Sequence, residues 1–153
     1  MSETTRFTVG QSSAAEINRH LQQADMGFTP LLSSRVSIAD YAQKLHDFAL
    51  CFEAWQDSEL IGLVAAYCNG PEAEAAFVSS VSVLPKFQGK GIAKQLMQHC
   101  IDHVRSQAFR IIALEVDSST VAAINLYRDL GFLTRHVAGN TMTMEMPLKR
   151  PLI

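Results

Sequence analysis

The feature that most constrains the fold is a strand, a loop with two glycines and a long helix in direct succession. Ala76 to Val83 carries the β-branched residues typical of a strand. From Gly91 to Gln107 the apolar residues recur at helical spacing. A helix that begins directly after such a loop presents free backbone N–H groups and the positive end of its dipole. The sequence therefore predicts an anion-binding loop at Gln88 to Ala93.

The composition of this loop favours a diphosphate. Gly89 and Gly91 let an anion approach the main chain closely, and Lys86, Lys90 and Lys94 add local positive charge. A P-loop needs GxxxxGK followed by Ser or Thr, to which the loop cannot be aligned. The dinucleotide fingerprint GxGxxG is the nearer rival, but Lys94 stands where its third glycine belongs, and the chain leaves little room for a second, substrate-binding domain.

The remaining segments alternate between strands and helices in a mixed α/β order without internal repeats. Leu60 to Cys68 is almost wholly apolar, which predicts a central strand. The other predicted strands are Arg6 to Val9, Ala49 to Trp55, Ile111 to Val116, Phe132 to Val137 and Met142 to Met146. The other predicted helices run from a cap at Ser12 or Ser13 toward Met26, from Ile38 to Phe48, and from a cap within Asp117 to Thr120 to a stop at Gly131, with Gly27 to Ser34 as a loop.

Length and charge predict one soluble domain over residues 1–153. The chain has 13 Lys and Arg against 15 Asp and Glu, so no global field attracts nucleic acid or an anionic membrane. No stretch approaches the roughly 20 apolar residues of a membrane span, and the first residues lack an apolar signal core. Three cysteines without CxxC spacing argue against a disulfide framework and a zinc site. A cytoplasmic protein without a metal is therefore expected.

Two segments resemble the motifs of the GNAT superfamily of N-acetyltransferases. Leu84 to Ala93 resembles motif A, whose core is Gln/Arg-x-x-Gly-x-Gly/Ala, and Gln88, Gly91 and Ala93 fill its defined positions. Ala123 to Phe132 is similar to motif B, with its Leu-Tyr-x-x-x-Gly-Phe ending. The resemblance covers about residues 6–146. It implies the GNAT acyl-CoA N-acyltransferase fold, a mixed central sheet of six to seven strands flanked by four helices, with acetyl-CoA as acetyl donor.

The same resemblance implies roles for individual residues. Backbone groups of the strand before motif A, from Ser80 to Val83, would pair with the pantetheine arm, and one N–H would polarise the thioester carbonyl. Tyr127 would be the general acid for the leaving thiolate, and the alternative is a core tyrosine on an amphipathic helix. Thr120, where relatives often carry asparagine, would either offer its hydroxyl to the cofactor or cap the following helix, and capping is favoured. The implied cofactor-binding residues are Val81, Ser82, Val83, Gln88, Gly89, Lys90, Gly91, Ile92, Ala93 and Thr120.

The general base is not assigned from the sequence. Many relatives place a glutamate on the strand that corresponds to Ala76 to Val83, which here contains no carboxylate. Glu72 and Glu74 precede the strand and Glu115 lies on the next one, yet each is expected to be a loop or surface charge. A water relay is the alternative, ordered by Ser79, Ser80 or Ser82.

The acceptor site is implied to lie at the loop Phe28 to Arg35 and the hairpin Arg135 to Thr141. Phe28, Thr29 and Leu31 are the expected contacts. Because this loop has few acids, it favours a small primary amine, such as an amino sugar or amino acid, over a polycation. A protein amine, and a catalytically silent acyl-CoA sensor or interaction module, remain alternatives, and the family leaves a homodimer open. His99 and His103 have a metal-binding spacing, but without a third ligand a solvated helix face is expected.

Overall fold

The structure, a computed structural model, describes residues 4–68 and 75–148. Seven strands form one sheet in the order β1-β2-β3-β4-β5-β7-β6, and β4 with β5 is its parallel pair within these ranges. The sheet and its flanking helices confirm the predicted fold class. The strands are β1 Arg6–Val9, β2 Leu50–Gln56, β3 Glu59–Tyr67, β4 Ala75–Val83, β5 Ile111–Asp117, β6 Leu133–Ala138 and β7 Thr141–Pro147. The helices are α1 Ala14–Ala24, α2 Ile38–Phe48, α3 Ile92–Ser106 and α4 Val121–Leu130.

Two apolar cores lie on opposite faces of the sheet. One joins α1 and α2 to residues of β2 and β3 and includes Leu21, Leu45 and Trp55. The other joins α3 and α4 to the sheet. The central position predicted for β3 is confirmed, because it pairs with both β2 and β4. The alternating methionines of β7 also face a core, with Met144 fully buried.

A buried carboxylate fixes the entry to α1. Ser13 caps the helix in a capping box with Glu16, while Ser12, the other predicted cap, turns inward to Glu53. Glu53 is fully buried and accepts hydrogen bonds from the backbone N–H groups of Gln11 and Ser12 and from the hydroxyls of Thr8 and Ser12. These bonds satisfy a charge that burial would otherwise make costly. They tie the start of α1 to the sheet.

The segment predicted as a loop between α1 and α2 contains two short 3₁₀ turns, Asp25–Gly27 and Leu32–Ser34. The carboxylate of Asp25 holds them together, since its two oxygens accept from the Ser33 backbone N–H at 2.8 Å and from the Ser33 hydroxyl at 2.6 Å. These bonds lower the pKa of the Asp25 carboxyl. The loop is therefore ordered by its own polar contacts.

Strands β4 and β5 separate part of the way along their length. They pair from Ala75 to Val78 with Ile111 to Leu114, and beyond those residues β4 pairs only with β3. At the point of separation Ala65 of β3 pairs with Ser80 while Ala66 pairs with Val78, so Ser79 is an extra residue in β4. Such a β-bulge bends a strand and increases its twist. The opening between β4 and β5 begins at this bulge.

Candidate active site

A cleft of about 620 Å³ occupies the opening between β4 and β5. The loop between α1 and α2 forms one wall, β4 forms the floor, and β5 with α4 forms the other wall. Its lining residues are Gly27, Phe28, Thr29, Pro30, Leu32, Arg35, Val36, Tyr41, Phe77, Val78, Ser79, Ser80, Val81, Leu114, Glu115, Val116, Asp117, Thr120, Ala123, Tyr127 and Thr141. This combination of apolar surface and a few polar groups is typical of a site for a small molecule.

The floor of the cleft exposes backbone groups of β4. Because β4 pairs only with β3 beyond Val78, its edge toward β5 keeps N–H and C=O groups without a strand partner. Buried backbone groups require hydrogen bonds, so this edge is suited to an extended ligand that carries amides. Val81, one of the predicted cofactor residues, lines the cleft here.

A group of hydroxyls surrounds the bulge. The Tyr41 hydroxyl donates to the Ser79 carbonyl oxygen at 3.1 Å and lies 2.6 Å from the Ser79 hydroxyl oxygen. Burial raises the pKa of Tyr41, so the phenol stays protonated at neutral pH. Ser80 is only 4% exposed, and its hydroxyl has no hydrogen-bond partner among the described residues. An unsatisfied buried hydroxyl at a cleft is a position for a ligand or an ordered water.

The structure explains why Tyr127 lies where it does. Helix α4 ends at Gly131 in the left-handed conformation, with φ 112°, and the Phe132 N–H then donates to the Tyr127 carbonyl oxygen at 2.9 Å. A β-carbon at Gly131 would lie 3.0 Å from the Met146 sulfur, which also favours glycine there. The Phe132 ring packs edge-on against Tyr127, with centroids 6.0 Å apart. The Leu-Tyr-x-x-x-Gly-Phe segment is thus a helix ending that positions one phenol.

Tyr127 remains protonated in this environment. It is 7% exposed, and burial raises its pKa to about 12. Desolvation has this effect because it disfavours the phenolate. The residue therefore meets one requirement of a general acid, a proton that is retained at neutral pH until a basic atom approaches.

The predicted anion-binding loop follows the end of β4. Gly89 and Gly91 have φ values of 80° and 78°, and a β-carbon at either position would meet no other atom within 4 Å. Among the described residues no side chain caps the start of α3, which leaves its first N–H groups for a ligand. The Gln88 side chain donates from Nε2 to the Val83 carbonyl oxygen at 3.0 Å, which ties the loop to β4. The loop itself does not line the cleft but continues from its floor.

Ser82 makes a contact that the sequence did not indicate. His20 of α1 is 1% exposed, and its Nδ1 donates to the Leu60 carbonyl oxygen at 2.8 Å. This fixes the tautomer, so Nε2 accepts from the Ser82 hydroxyl at 2.8 Å. Burial lowers the pKa of His20 to about 4, which keeps it neutral. Its helical spacing from Ile17 and Ala24, both apolar, is the signal that could have placed it on the buried face.

The other predicted residues are distributed unevenly around the cleft. Phe28 and Thr29 line it, whereas Leu31 is 43% exposed and does not. Thr120 lines it and stands at the N-cap position of α4, but its side chain makes no capping hydrogen bond, so the favoured capping role is wrong. Its ψ of 74° departs from the extended geometry of capping residues. Instead, the Asp117 carboxylate accepts from the backbone N–H of Ser119 in the turn before α4.

Among the candidate bases, Glu115 lines the cleft from β5 together with Asp117. Glu72 and Glu74 lie outside the described residues. The expectation of a purely solvated face for His99 and His103 is corrected, because both are half-buried and pack edge-on against Phe7 and Phe52. The described part of the chain brings together no three His, Cys, Asp or Glu side chains that could hold a metal ion. None of its helices is long and apolar enough to cross a membrane.

Comparison with known proteins agrees with this geometry. The acetyltransferase (GNAT) family model matches residues 16–132. The ribosomal protein bS18-alanine N-acetyltransferase of Salmonella typhimurium is 37% identical over 59 residues, which are 39% of this chain and 40% of that protein. The L-2,4-diaminobutyric acid acetyltransferase of Vibrio cholerae is 25% identical over 99 residues, 65% of this chain and 57% of that protein. The chain thus spans about half the length of these curated relatives.

Solved structures confirm the fold. The crystal structure of PaiA N-acetyltransferase from Thermoplasma acidophilum, in complex with coenzyme A, superposes with a TM-score of 0.73 at 17% identity and covers 93% of this chain and 99% of that chain. The two sequence motifs, the seven-stranded sheet and a family model that covers more than half of the residues all agree. The chain therefore belongs to the acetyltransferase (GNAT) family.

Proposed function

We propose that the protein transfers the acetyl group of acetyl-CoA directly to a primary amine of a small molecule. The observation that carries this proposal is the position of the Tyr127 phenol, in a cleft whose floor continues into the glycine loop before α3. One ligand can then place its phosphates on the loop and its thioester beside the phenol. The coenzyme A complex of the relative from Thermoplasma acidophilum supports acetyl-CoA as donor.

The donor would bind mainly through main-chain groups. The first N–H groups of α3 and the helix dipole suit the pyrophosphate. The unpaired edge of β4, from Ser80 to Val83, suits the amides of the pantetheine arm. Thr120 lines the cleft on the α4 side, and its hydroxyl would be offered to the cofactor there. An unpaired N–H of the bulged strand can polarise the thioester carbonyl.

The chemistry needs one proton at sulfur and one released from nitrogen. The amine nitrogen forms a bond to the acetyl carbon while the carbon–sulfur bond breaks, and Tyr127 donates its hydroxyl proton to the leaving sulfur. A thiol has an ordinary pKa of about 8.5, below that of Tyr127, so the phenol acts first as a hydrogen-bond donor that stabilises the developing thiolate. The substituted nitrogen then loses a proton, which restores the phenol.

The amine must be neutral before it attacks. No carboxylate side chain belongs to the described part of β4, so the ammonium proton would leave through water along the wall that Glu115 and Asp117 line. The serine hydroxyls at the bulge, Ser79 and Ser80, can order such water. This arrangement would form the water relay expected from the serines of β4.

A small acceptor fits the composition of the cleft. The wall formed by the loop between α1 and α2 contributes the apolar residues Phe28 and Pro30 and the hydroxyl-bearing residue Thr29. The relative from Vibrio cholerae is named for an amino acid acceptor, which supports a small molecule. The relative from Salmonella typhimurium is named for a ribosomal protein acceptor, so acetylation of a protein amine is the second candidate. A panel of amines and peptides distinguishes the two.

Replacement of Tyr127 by Phe tests the mechanism. We expect kcat for acetyl transfer to fall by about 10²- to 10⁴-fold, the usual contribution of a general acid, with the Kd for acetyl-CoA little changed. The assay is thiol release from acetyl-CoA with an amine panel, together with calorimetric titration of acetyl-CoA. Tyr67→Phe is the matched control, since the Tyr67 hydroxyl is buried without a partner among the described residues and does not line the cleft.

Two outcomes would count against the proposal. If Tyr127→Phe turns over like the parent protein, Tyr127 is not the acid. If the parent protein binds acetyl-CoA stoichiometrically but acetylates no amine or peptide, the chain is a sensor or interaction module instead of an enzyme.

A further inference from the structure

Arg35 is the one positively charged side chain that lines the cleft in the described ranges. It follows the second 3₁₀ turn, where its backbone N–H donates to the Leu32 carbonyl oxygen at 3.0 Å. Its guanidinium is exposed and forms no ion pair or hydrogen bond with the described residues. The nearby Asp25 carboxylate is already engaged by Ser33. Arg35 therefore adds to the cleft lining a planar fork of donors that has no partner among the described residues.

Two hydroxyls lie in the surroundings of Arg35, and the Tyr41 hydroxyl already donates its proton to the Ser79 carbonyl oxygen. Burial raises the pKa of Tyr41, and the positive charge of Arg35 has a smaller, opposite effect on it. Ser80 lines the same cleft, and its buried hydroxyl has no hydrogen-bond partner in the described part of the chain. The Ser80 hydroxyl and the guanidinium can thus both donate to a carboxylate, and charge-assisted hydrogen bonds of this kind are about twice as strong as neutral ones.

The opposite wall carries the opposite charge. Glu115 and Asp117 line the cleft from β5. An acceptor that carries an ammonium and a carboxylate would therefore meet a complementary charge on each wall. Arg35 would repel the positive charges of a polyamine, and with an amine that lacks a carboxylate the guanidinium would have no partner.

We propose that Arg35 determines acceptor specificity by binding the carboxylate of an amino acid, whose amine then receives the acetyl group. This inference rests on the proposed function and narrows its substrate class. Arg35 binds and orients the acceptor, and Tyr127 remains the residue that exchanges a proton.

The test compares matched acceptors that differ only in the carboxylate. Free L-amino acids with aliphatic, aromatic and basic side chains are assayed beside their carboxamides and beside peptides that begin with the same residue. We expect kcat/KM to favour the best amino acid over its carboxamide by about tenfold or more, the lower range for a hydrogen bond to a charged group. The amine of the carboxamide is less basic than that of the amino acid, so a larger fraction of it is neutral and able to attack. This difference favours the carboxamide, so a measured preference for the amino acid cannot come from amine basicity.

Variants of Arg35 assign the preference to this side chain. Arg35→Ala should lower kcat/KM for the amino acid at least tenfold more than kcat/KM for its carboxamide, so that the preference disappears, and Arg35→Lys should restore part of it. Arg35→Glu should reverse it in favour of amines without a carboxylate. Arg19→Ala is the matched control, since Arg19 is exposed on α1 and does not line this cleft.

A binding measurement keeps the inference testable apart from turnover. With coenzyme A present, calorimetric titration should show the amino acid binding more tightly than its carboxamide, and Arg35→Glu should abolish the difference. If carboxamides and peptides are acetylated as well as amino acids, Arg35 does not read a carboxylate, although the proposed function stands. If no acceptor turns over and the titration shows no preference, both proposals fail.

Discussion

Replacement of Gly91 by Asp gives a direct test of where the phosphates bind. Gly91 immediately precedes α3 with φ 78°, and a β-carbon there would meet no atom of the described protein within 4 Å. The new side chain would therefore cause backbone strain but no internal clash. It would project into the space that the pyrophosphate of acetyl-CoA is proposed to occupy.

The expected effect has two parts. The left-handed conformation costs an L residue about 1–2 kcal/mol of folding free energy. Repulsion between two unit charges 4 Å apart is about 1 kcal/mol in water and about 4 kcal/mol at an effective dielectric constant of 20. Gly91 is exposed, so the lower part of that range applies to each phosphate. Two phosphates then give about 2–3 kcal/mol, which weakens acetyl-CoA binding roughly 30- to 150-fold.

Calorimetric titration of acetyl-CoA against three variants separates charge from shape. Gly91→Asn has nearly the same size as Gly91→Asp and tolerates the left-handed conformation, but it lacks the charge. The ratio of the two Kd values therefore measures the repulsion. This ratio should shrink as salt rises, because the Debye length falls from about 30 Å at 0.01 M to about 3 Å at 1 M.

Gly10→Asp is the third variant and the control for strain and net charge. Gly10 has φ 69°, a β-carbon added there would have no atom within 4 Å, and the residue lies outside the cleft. The melting temperature of Gly10→Asp should fall like that of Gly91→Asp while acetyl-CoA binds normally. If folded Gly91→Asp binds acetyl-CoA as tightly as Gly91→Asn at low salt, the pyrophosphate is not at this loop.

Two predictions concern stability. A β-carbon at Gly62 would lie 3.0 Å from Ile92 Cγ2 and 3.1 Å from Leu96 Cδ1, so Gly62→Ala should lower the free energy of unfolding by about 1–3 kcal/mol. Gly27→Ala is the control, because a β-carbon there meets no described atom within 4 Å. Equal melting temperatures for the two variants would show that α3 moves to accommodate the methyl group without cost. Because the pKa of His20 is about 4 when folded and 6.5 when unfolded, the unfolded chain binds more protons between these values. The free energy of unfolding therefore keeps its full value above pH 6.5 and falls by up to about 3 kcal/mol as the pH drops to 4. Urea unfolding at several pH values tests this. The reasoning is wrong if His20→Gln loses as much stability over that range as the parent protein.

Local patterns predicted the secondary structure well. Helix α2 has the predicted bounds, Ile38–Phe48, and α3 begins and ends within a residue of its prediction. Such boundaries depend on capping residues and apolar spacing, which are properties of the segment itself. The donor loop was predictable for the same reason, since the positive φ values of Gly89 and Gly91 are local requirements.

The acceptor half of the cleft depends on contacts between distant segments. Leu31 and Thr29 are close in sequence and similar in their local pattern, yet only Thr29 lines the cleft, because the fold of the loop follows from Asp25 and its bonds to Ser33. His20 likewise depends on a contact with a distant segment. Its partner Ser82 is 62 residues away, a relation that no local pattern expresses.

The opening between β4 and β5 is a further nonlocal feature, although the sequence contains a trace of it. Strict alternation would place positions 76, 78, 80 and 82 on one face of β4. The core beneath α3 instead takes Ala76 and Val78 before the bulge and Val81 and Val83 after it. The doubled serine, Ser79 and Ser80, is the point where the apolar period slips by one residue.

That slip gives the bulge a physical cause. If β4 continued without an extra residue, the Ser82 hydroxyl would enter the apolar core beneath α3, where it would lack a partner. With the extra residue, the Ser82 hydroxyl donates to His20 and the Ser79 hydroxyl meets Tyr41 on the opposite face. The same change of register coincides with the loss of pairing to β5, which exposes the strand edge that forms the floor of the cleft. The apolar pattern of a single strand thus accounts for both the packing of β4 and the place where a ligand can enter the sheet.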